Sequence, residues 1–161
     1  MMRWGLRPSW SKKSTMEPIN ARMETVESKP MFRDAYSQRR CLIPADGWYE
    51  WKTTPRGKVP FYHRQSADSL LLMAGIHERW VGDGEQYESF CLLTKEATDE
   101  VAHVHHRMPV LVDASASSLW LEQQIIEPIH VEIEVYPVGR EVNKTSAQGV
   151  QLTRPLRTLF D

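Results

Sequence analysis

Asn20, Glu50 and the run His103-Val104-His105-His106-Arg107-Met108-Pro109 are the places where this sequence sets reactive side chains among apolar residues. An amide, a carboxylate and imidazoles orient a polar substrate and move protons, and they do so only if the fold draws distant segments together. In Gly47-Trp48-Tyr49-Glu50-Trp51-Lys52 a strand period of two puts Trp48 and Glu50 on one face and Tyr49 and Trp51 on the other. An aromatic neighbour strips water from a carboxylate and moves its pKa upward, toward the range where it exchanges protons at neutrality. A rim carboxylate paired with Arg or Lys is the competing reading for Glu50.

The histidine run admits three readings. In the first, His103 and His105 bind a metal with Glu50 as third ligand; neither HExxH nor a CxxC pair accompanies them, and no metal or other cofactor is expected. In the second, one imidazole is a general acid or base and Arg107 anchors a phosphate or carboxylate through its planar fork of donors. In the third, the ring nitrogens are satisfied in a turn before a strand, the ordinary fate of a lone histidine; here two adjacent histidines and an arginine stand together. Six tryptophans are many for this length, and Trp4, Trp10, Trp48 and Trp51 fall in the first third. Most are expected in the core. Beside Arg22, Arg39 and Arg40 they would form a stacking platform with phosphate contacts, suited to single-stranded nucleic acid.

Strand signals dominate the elements that must position these groups. Period-two alternation or compact apolar runs predict strands near Met2–Leu6, Arg40–Ile43, Gly47–Lys52, Val59–Arg64, Leu70–Trp80, Tyr87–Thr94, Met108–Val112 and Val131–Val138. Lys52-Thr-Thr-Pro-Arg-Gly-Lys58 and Val81-Gly-Asp-Gly-Glu-Gln86 join two pairs of them as antiparallel hairpins, glycine supplying the positive φ. Helical spacing covers Phe32–Gln38, Glu96 to about Val104, and Ala114–Gln124, the last capped by Asp113. Long βαβ crossovers are absent, so the expected class is α+β: a mostly antiparallel, barrel-like sheet with a few short peripheral helices.

A chain of 161 residues, 41% hydrophobic and 25% charged, is expected to fold as one domain over 1–161, without repeats or linkers. A formal charge of -1 leaves no global field for a polyanion, so any nucleic-acid site must be local. The local excess is Arg33, Arg39 and Arg40, with Lys12, Lys13 and Arg22 upstream, for which a solvated polar face is the plainer reading. No apolar run reaches the roughly 18 residues of a membrane span, and the start has no stretch of signal-peptide length. A cytoplasmic, bacterial, monomeric protein off the membrane is expected. Cys41 and Cys91, each flanked by apolar residues, read as buried reduced thiols.

Five motifs in register, Met2-Arg-Trp-Gly-Leu-Arg-Pro-Ser-Trp10, Ile19-Asn-Ala-Arg-Met-Glu-Thr-Val26, Arg39-Arg-Cys-Leu-Ile-Pro-Ala-Asp-Gly-Trp-Tyr-Glu-Trp-Lys52, Met73-Ala-Gly-Ile-His-Glu-Arg-Trp80 and Val104-His-His-Arg-Met-Pro-Val-Leu-Val112, closely resemble the SRAP family of abasic-site processing proteins (SOS-response-associated peptidases). The resemblance runs from Met2 to the Val135–Gly149 segment and implies a mixed α+β domain around a barrel-like antiparallel sheet. It also implies recognition of abasic sites in single-stranded DNA and their shielding by a covalent bond. In that family the nucleophile is a cysteine exposed as the new N-terminus: its amine condenses with the sugar aldehyde and its thiol closes a thiazolidine ring. By the same resemblance, Asn20 orients the reacting centre and Glu50 moves protons during condensation. His105 assists ring opening, Arg22 and Arg107 contact phosphates, and Trp10 and Trp51 stack or wedge around the DNA.

Members of that family begin Met-Cys-Gly-Arg well ahead of the Arg-Trp-Gly-Leu strand, whereas this sequence opens Met1-Met2-Arg3-Trp4. The expectation is an N-terminally truncated domain, either read from an internal methionine or a genuine remnant, whose nucleophile lies outside these residues. Cys41 and Cys91 do not replace it, because the thiazolidine needs an amine and a thiol on one residue and both of their nitrogens are acylated.

Overall fold

The computed structural model describes residues 1–12, 16–66, 69–127, 129 and 131–156; Lys13 of the basic cluster lies outside them. In chain order the elements are β1 (Arg3–Trp4), β2 (Asn20–Arg22), α1 (Arg33–Gln38), β3 (Arg40–Ala45), β4 (Gly47–Thr54), β5 (Gly57–Gln65), β6 (Leu71–Gly82), β7 (Glu85–Glu96), α2 (Asp99–Ala102), β8 (Arg107–Pro109), β9 (Leu111–Val112), α3 (Ser117–Gln123) and β10 (Ile133–Pro137). They gather into two compact units, Met1–Pro44 with Leu72–Lys95 and Pro109–Ile129, and Ala45–Leu71 with Glu96–Met108 and His130–Asp161. No helix among the described residues is long and apolar enough to cross a membrane.

The first unit is a sheet in the order β1-β7-β6-β3, with β2 also on β7 and β9 on β6. β6 and β7 are the antiparallel hairpin that the Asp-Gly signal predicts: Asp83 and Gly84 have φ of 51° and 78°, the left-handed pair of a tight turn whose twist matches the strands. The core takes Ala74 and Ile76 from β6, Cys91 and Leu93 from β7, and Phe32, Tyr36 and Trp120 from α1, α3 and the approach to α1. Trp120 is fully buried and its indole N–H donates to the Cys41 carbonyl at 2.9 Å, which satisfies the one polar atom that burial would strand.

Gly75 is required by close approach. A Cβ there would overlap Cδ1 of Ile43 and lie 3.2 Å from the Cys41 sulfur and 3.0 Å from the Cys91 carbonyl oxygen. Gly75→Ala is therefore expected to cost about 1–3 kcal/mol by overpacking. An unchanged urea midpoint would show that β3 shifts freely and that this packing does not matter.

The second unit is the antiparallel sheet β10-β5-β4, whose register pairs Trp48 with His63 and Glu50 with Phe61 on one face. The other face carries Tyr49, Tyr62 and Tyr136, tilted against one another at centroid separations of 5.0 and 6.0 Å. After β10 the chain returns through two short 3-10 turns (Arg140–Asn143 and Val150–Thr153) and is tied back by Tyr136 Oη donating to the Thr153 carbonyl at 3.0 Å.

The structure departs from expectation at four points. Among the described residues neither sheet closes on itself: β1 and β3 end one strand order and β10 and β4 the other, so the barrel-like expectation is corrected to two open sheets. Closure requires edge strands long enough to pair, and β1 has two residues. β1 and β2 lie parallel to β7, which short polar strands such as Asn-Ala-Arg do not announce. The helix expected from Glu96 to about Val104 is reduced to Asp99–Ala102, with Thr98 extended before it and His103 closing it. The arginine cluster is not simply a solvated face. Arg39 pairs at 2.7 Å with the buried Glu78, and Arg40 donates to backbone carbonyls at the ends of α1 and α3.

Candidate active site

β4 presents Trp48 and Glu50 on one face of the second unit, as the period of two requires, and β5 sets His63 and Phe61 opposite them. The Trp48 and His63 rings stack at 4.6 Å with an interplanar angle of 16°. His63 is 1% exposed, and burial lowers its pKa to about 4. It is therefore a neutral ring at physiological pH, a wall of the site and not a proton carrier. Phe61 meets His103 edge-on at 6.4 Å.

The turn after α2 brings His105 to this face. Its Nδ1 lies 3.9 Å from Oε1 of Glu50, with side-chain exposures of 37% and 29%. That separation is an electrostatic contact and not a hydrogen bond. The same Nδ1 lies 3.2 Å from both the backbone nitrogen and the carbonyl oxygen of Arg107, which hold the ring in place whichever nitrogen carries the proton. His106 stacks on His105 at 4.5 Å. Desolvation raises the Glu50 pKa above the usual carboxylate value, opposed by His105, the Trp51 backbone amide, His106 and Lys58. A carboxyl whose pKa burial raises, beside an imidazole held by the Arg107 backbone, can take and return a proton within one site. The rim ion-pair reading of Glu50 is not what the structure shows, since its partner is a histidine and burial outweighs the attraction.

The other expected residues are placed as follows. Asn20 and Arg22 lie on β2 of the first unit, both exposed and on the same face, with the buried Ala21 between them. Their register partners on β7 are Leu92 and Thr94; two residues along that face Phe90 stacks on Trp4 at 6.4 Å and 7°. Trp4 is 55% exposed and lies on the Asn20 face, a position that the sequence reading passed over as core. Trp10 is 58% exposed and outside any strand. Arg107 opens β8 in the second unit, half-buried. Trp51 is on the β4 face opposite Glu50, where its indole N–H donates to Oδ1 of Asn143 at 2.8 Å.

The reading in which His103, His105 and Glu50 hold a metal finds no support: among the described residues no group of three or more His, Cys, Asp or Glu is placed to hold an ion. Cys41 and Cys91 are free thiols, and burial pushes Cys41 up to about 11 and Cys91 further in the same direction, so neither is a ready nucleophile.

A family model described as SOS response associated peptidase (SRAP) matches residues 1–145. Among curated proteins, the abasic site processing protein YoqW of Bacillus subtilis (strain 168) is 34% identical over 94% of this chain and 74% of its own length. The abasic site processing protein YedK of Escherichia coli (strain K12) is 30% identical over 95% and 73% respectively. The abasic site processing protein HMCES of Gallus gallus is 31% identical over 88% of this chain and 53% of its own length. A crystal structure of a protein from Bacteroides thetaiotaomicron superposes with a TM-score of 0.88 at 24% identity, covering 97% of this chain and 76% of that one, which shows the shared fold.

Proposed function

The chain belongs to the SOS response associated peptidase (SRAP) family, and from that premise we propose that it recognises abasic sites in single-stranded DNA and handles protons on the base-less sugar through Glu50 and His105. The observation that carries the proposal is the Glu50–His105 contact on an aromatic-walled face. An abasic sugar is a cyclic hemiacetal in equilibrium with an aldehyde. Opening it needs a base for the C1 hydroxyl proton and an acid for the ring oxygen. Condensation of an amine with the aldehyde then expels water, and a neighbouring thiol adds to the imine carbon. Each step moves a proton over a short distance, which suits a carboxyl whose pKa burial has raised. Asn20 orients the sugar, Arg22 and Arg107 meet phosphates, and Trp10 and Trp51 pack against the strand. The protein acts as a monomer, in the cytoplasm, on DNA alone.

Binding tests this reading directly. Fluorescence anisotropy is expected to show tighter binding to a single strand with one abasic site than to the intact strand. Preference for duplex, or no binding, contradicts it. Arg22→Ala is expected to weaken binding to both strands alike and to lower the slope of log affinity against log salt by about 1, the signature of one lost phosphate contact.

A further inference from the structure

The strand that carries Glu50 runs on well beyond the candidate active site. β10 pairs with β5 from Phe61 to Gln65, and Val138 after it donates to the Pro60 carbonyl at 3.0 Å. Past that point β4 and β5 continue as a two-stranded ribbon, paired from Trp51 with Pro60 to Thr54 with Gly57. A two-stranded ribbon is marginal in water unless something else holds it, and here both ends are fixed. At the apex Pro55-Arg56 is the turn, with φ preset by the proline. Thr54 Oγ1 accepts the Arg56 N–H at 3.2 Å and donates to the Gly57 carbonyl at 2.7 Å. Gly57 has φ of 103°, a conformation that residues with a Cβ rarely adopt. At the base the Trp51 indole holds Asn143 of the 3-10 turn after β10.

Residues 51–60 carry Lys52, Arg56 and Lys58 and no carboxylate. Arg56 and Lys58 are exposed and Lys52 is half-buried. None of the three makes an ion pair or a side-chain hydrogen bond among the described residues. Lys58 acts on Glu50 at longer range, opposing the rise of its pKa. The turn that Trp51 holds, with the residue after it, adds Arg140 and Lys144 against Glu141.

Other arginines of the chain are consumed by the fold: Arg39 by Glu78, Arg64 by Glu134 and Arg40 by helix carbonyls. The three cations of the ribbon are not, and in a chain of net charge -1 they make a local positive field. Between them lie Thr53, Thr54, Pro55 and Gly57, which offer no apolar pocket for the side chains of an acidic peptide. A partner recognised by charge alone is a polyanion. The apex lies roughly 17 Å from Glu50 along the strand, at about 3.3 Å per residue, so a DNA strand whose sugar sits at Glu50 has phosphates within its reach. We propose that the β4–β5 ribbon is a phosphate-binding arm, in which Lys52, Arg56 and Lys58 hold the backbone of the unpaired strand flanking the sugar without reading its sequence. The inference rests on the reading of the chain as a binder of single-stranded DNA.

Anisotropy titrations of the full chain over a range of salt test the arm, using oligothymidylate of about 30 nucleotides, intact or with one central abasic site. In the triple variant Lys52→Gln, Arg56→Gln, Lys58→Gln the slope of log affinity against log salt is expected to fall by about 2, at about 0.7 per phosphate on a single strand. The fall should be the same on intact and abasic strands, so the ratio between them stays at its wild-type value. Exchanging the cations instead, as Lys52→Arg, Arg56→Lys, Lys58→Arg, should keep the wild-type slope, because a phosphate contact without readout needs only the charge. A wild-type slope in the glutamine variant overturns the proposal. So does a loss confined to the abasic strand, which would mean that the charges act through Glu50. The two readings fail separately: equal wild-type affinity for intact and abasic strands counts against abasic-site recognition and leaves the arm standing on its slope. Melting temperature of the glutamine variant, expected to match the wild type since no ion pair is lost, keeps a folding defect from imitating the effect.

Discussion

Replacing Glu50 by glutamine is expected to slow condensation of a single-stranded abasic sugar with an added amine-thiol, free cysteine, by about 10²–10⁴-fold, the usual worth of a positioned acid or base. Supplying the nucleophile from solution isolates the proton-handling groups from whichever residue carries a nucleophile in the protein. Glutamine keeps the shape and a hydrogen-bonding oxygen but holds no exchangeable acid proton. The same substitution is expected to raise the melting temperature. Desolvation raises the folded-state pKa of Glu50 above the unfolded value, so folding favours its protonated form. Stability from this group is fully present below the unfolded carboxylate pKa and is lost as pH rises through the folded one. The advantage of glutamine should therefore be absent in acid, grow with pH and level off above the folded-state pKa. A variant that is slower but less stable at neutral pH would mean that Glu50 serves packing. A fast variant would remove it from the chemistry.

The largest expected loss of stability is at Arg40. Its guanidinium donates to the carbonyls of Tyr36 at 2.7 Å and Ser37 at 2.5 Å, in the last turn of α1. It also donates to those of Trp120 and Leu121 at 2.9 Å, with a longer contact of 3.4 Å to Glu122 in α3. Helix C-termini leave carbonyls without intrahelical partners and carry partial negative charge, and this one side chain serves two such ends with a fork of five donors. Neither helix has a basic residue of its own in the last turn. Arg40→Met keeps the aliphatic stem and removes all of these bonds, so a cost of about 3–5 kcal/mol is expected, comparable to breaking a buried charged pair. Arg40→Lys should recover only part of it, because an ammonium cannot span both helix ends. Urea unfolding measures this; a cost of less than about 1 kcal/mol in Arg40→Met would show that water replaces the guanidinium.

Much of this was legible in the sequence where the controlling physics is local. Alternation of Trp48 and Glu50 fixed which face carries the carboxylate, and Asp83-Gly84 fixed the β6–β7 turn, because one strand or one turn decides each. The raised pKa of Glu50 followed from its aromatic neighbours before any partner was known. What sequence did not reveal depends on contacts between distant segments. Arg40 reads as one more surface charge until two helix ends, some 80 residues apart in sequence, are seen to converge on it. Asn20-Ala-Arg22 has little strand propensity and becomes β2 only because β7 offers an edge. Closure into a barrel is likewise a property of edge strands meeting, which no strand pattern encodes by itself.

The measurement that bears most directly on the central claim is a time course by intact mass of an abasic single-stranded oligonucleotide with free cysteine, with and without the protein. The account predicts that wild-type protein accelerates formation of the product heavier by cysteine less one water, and that a strand carrying the aldehyde-free tetrahydrofuran analogue gives none. Equal rates in the presence and absence of protein would contradict it.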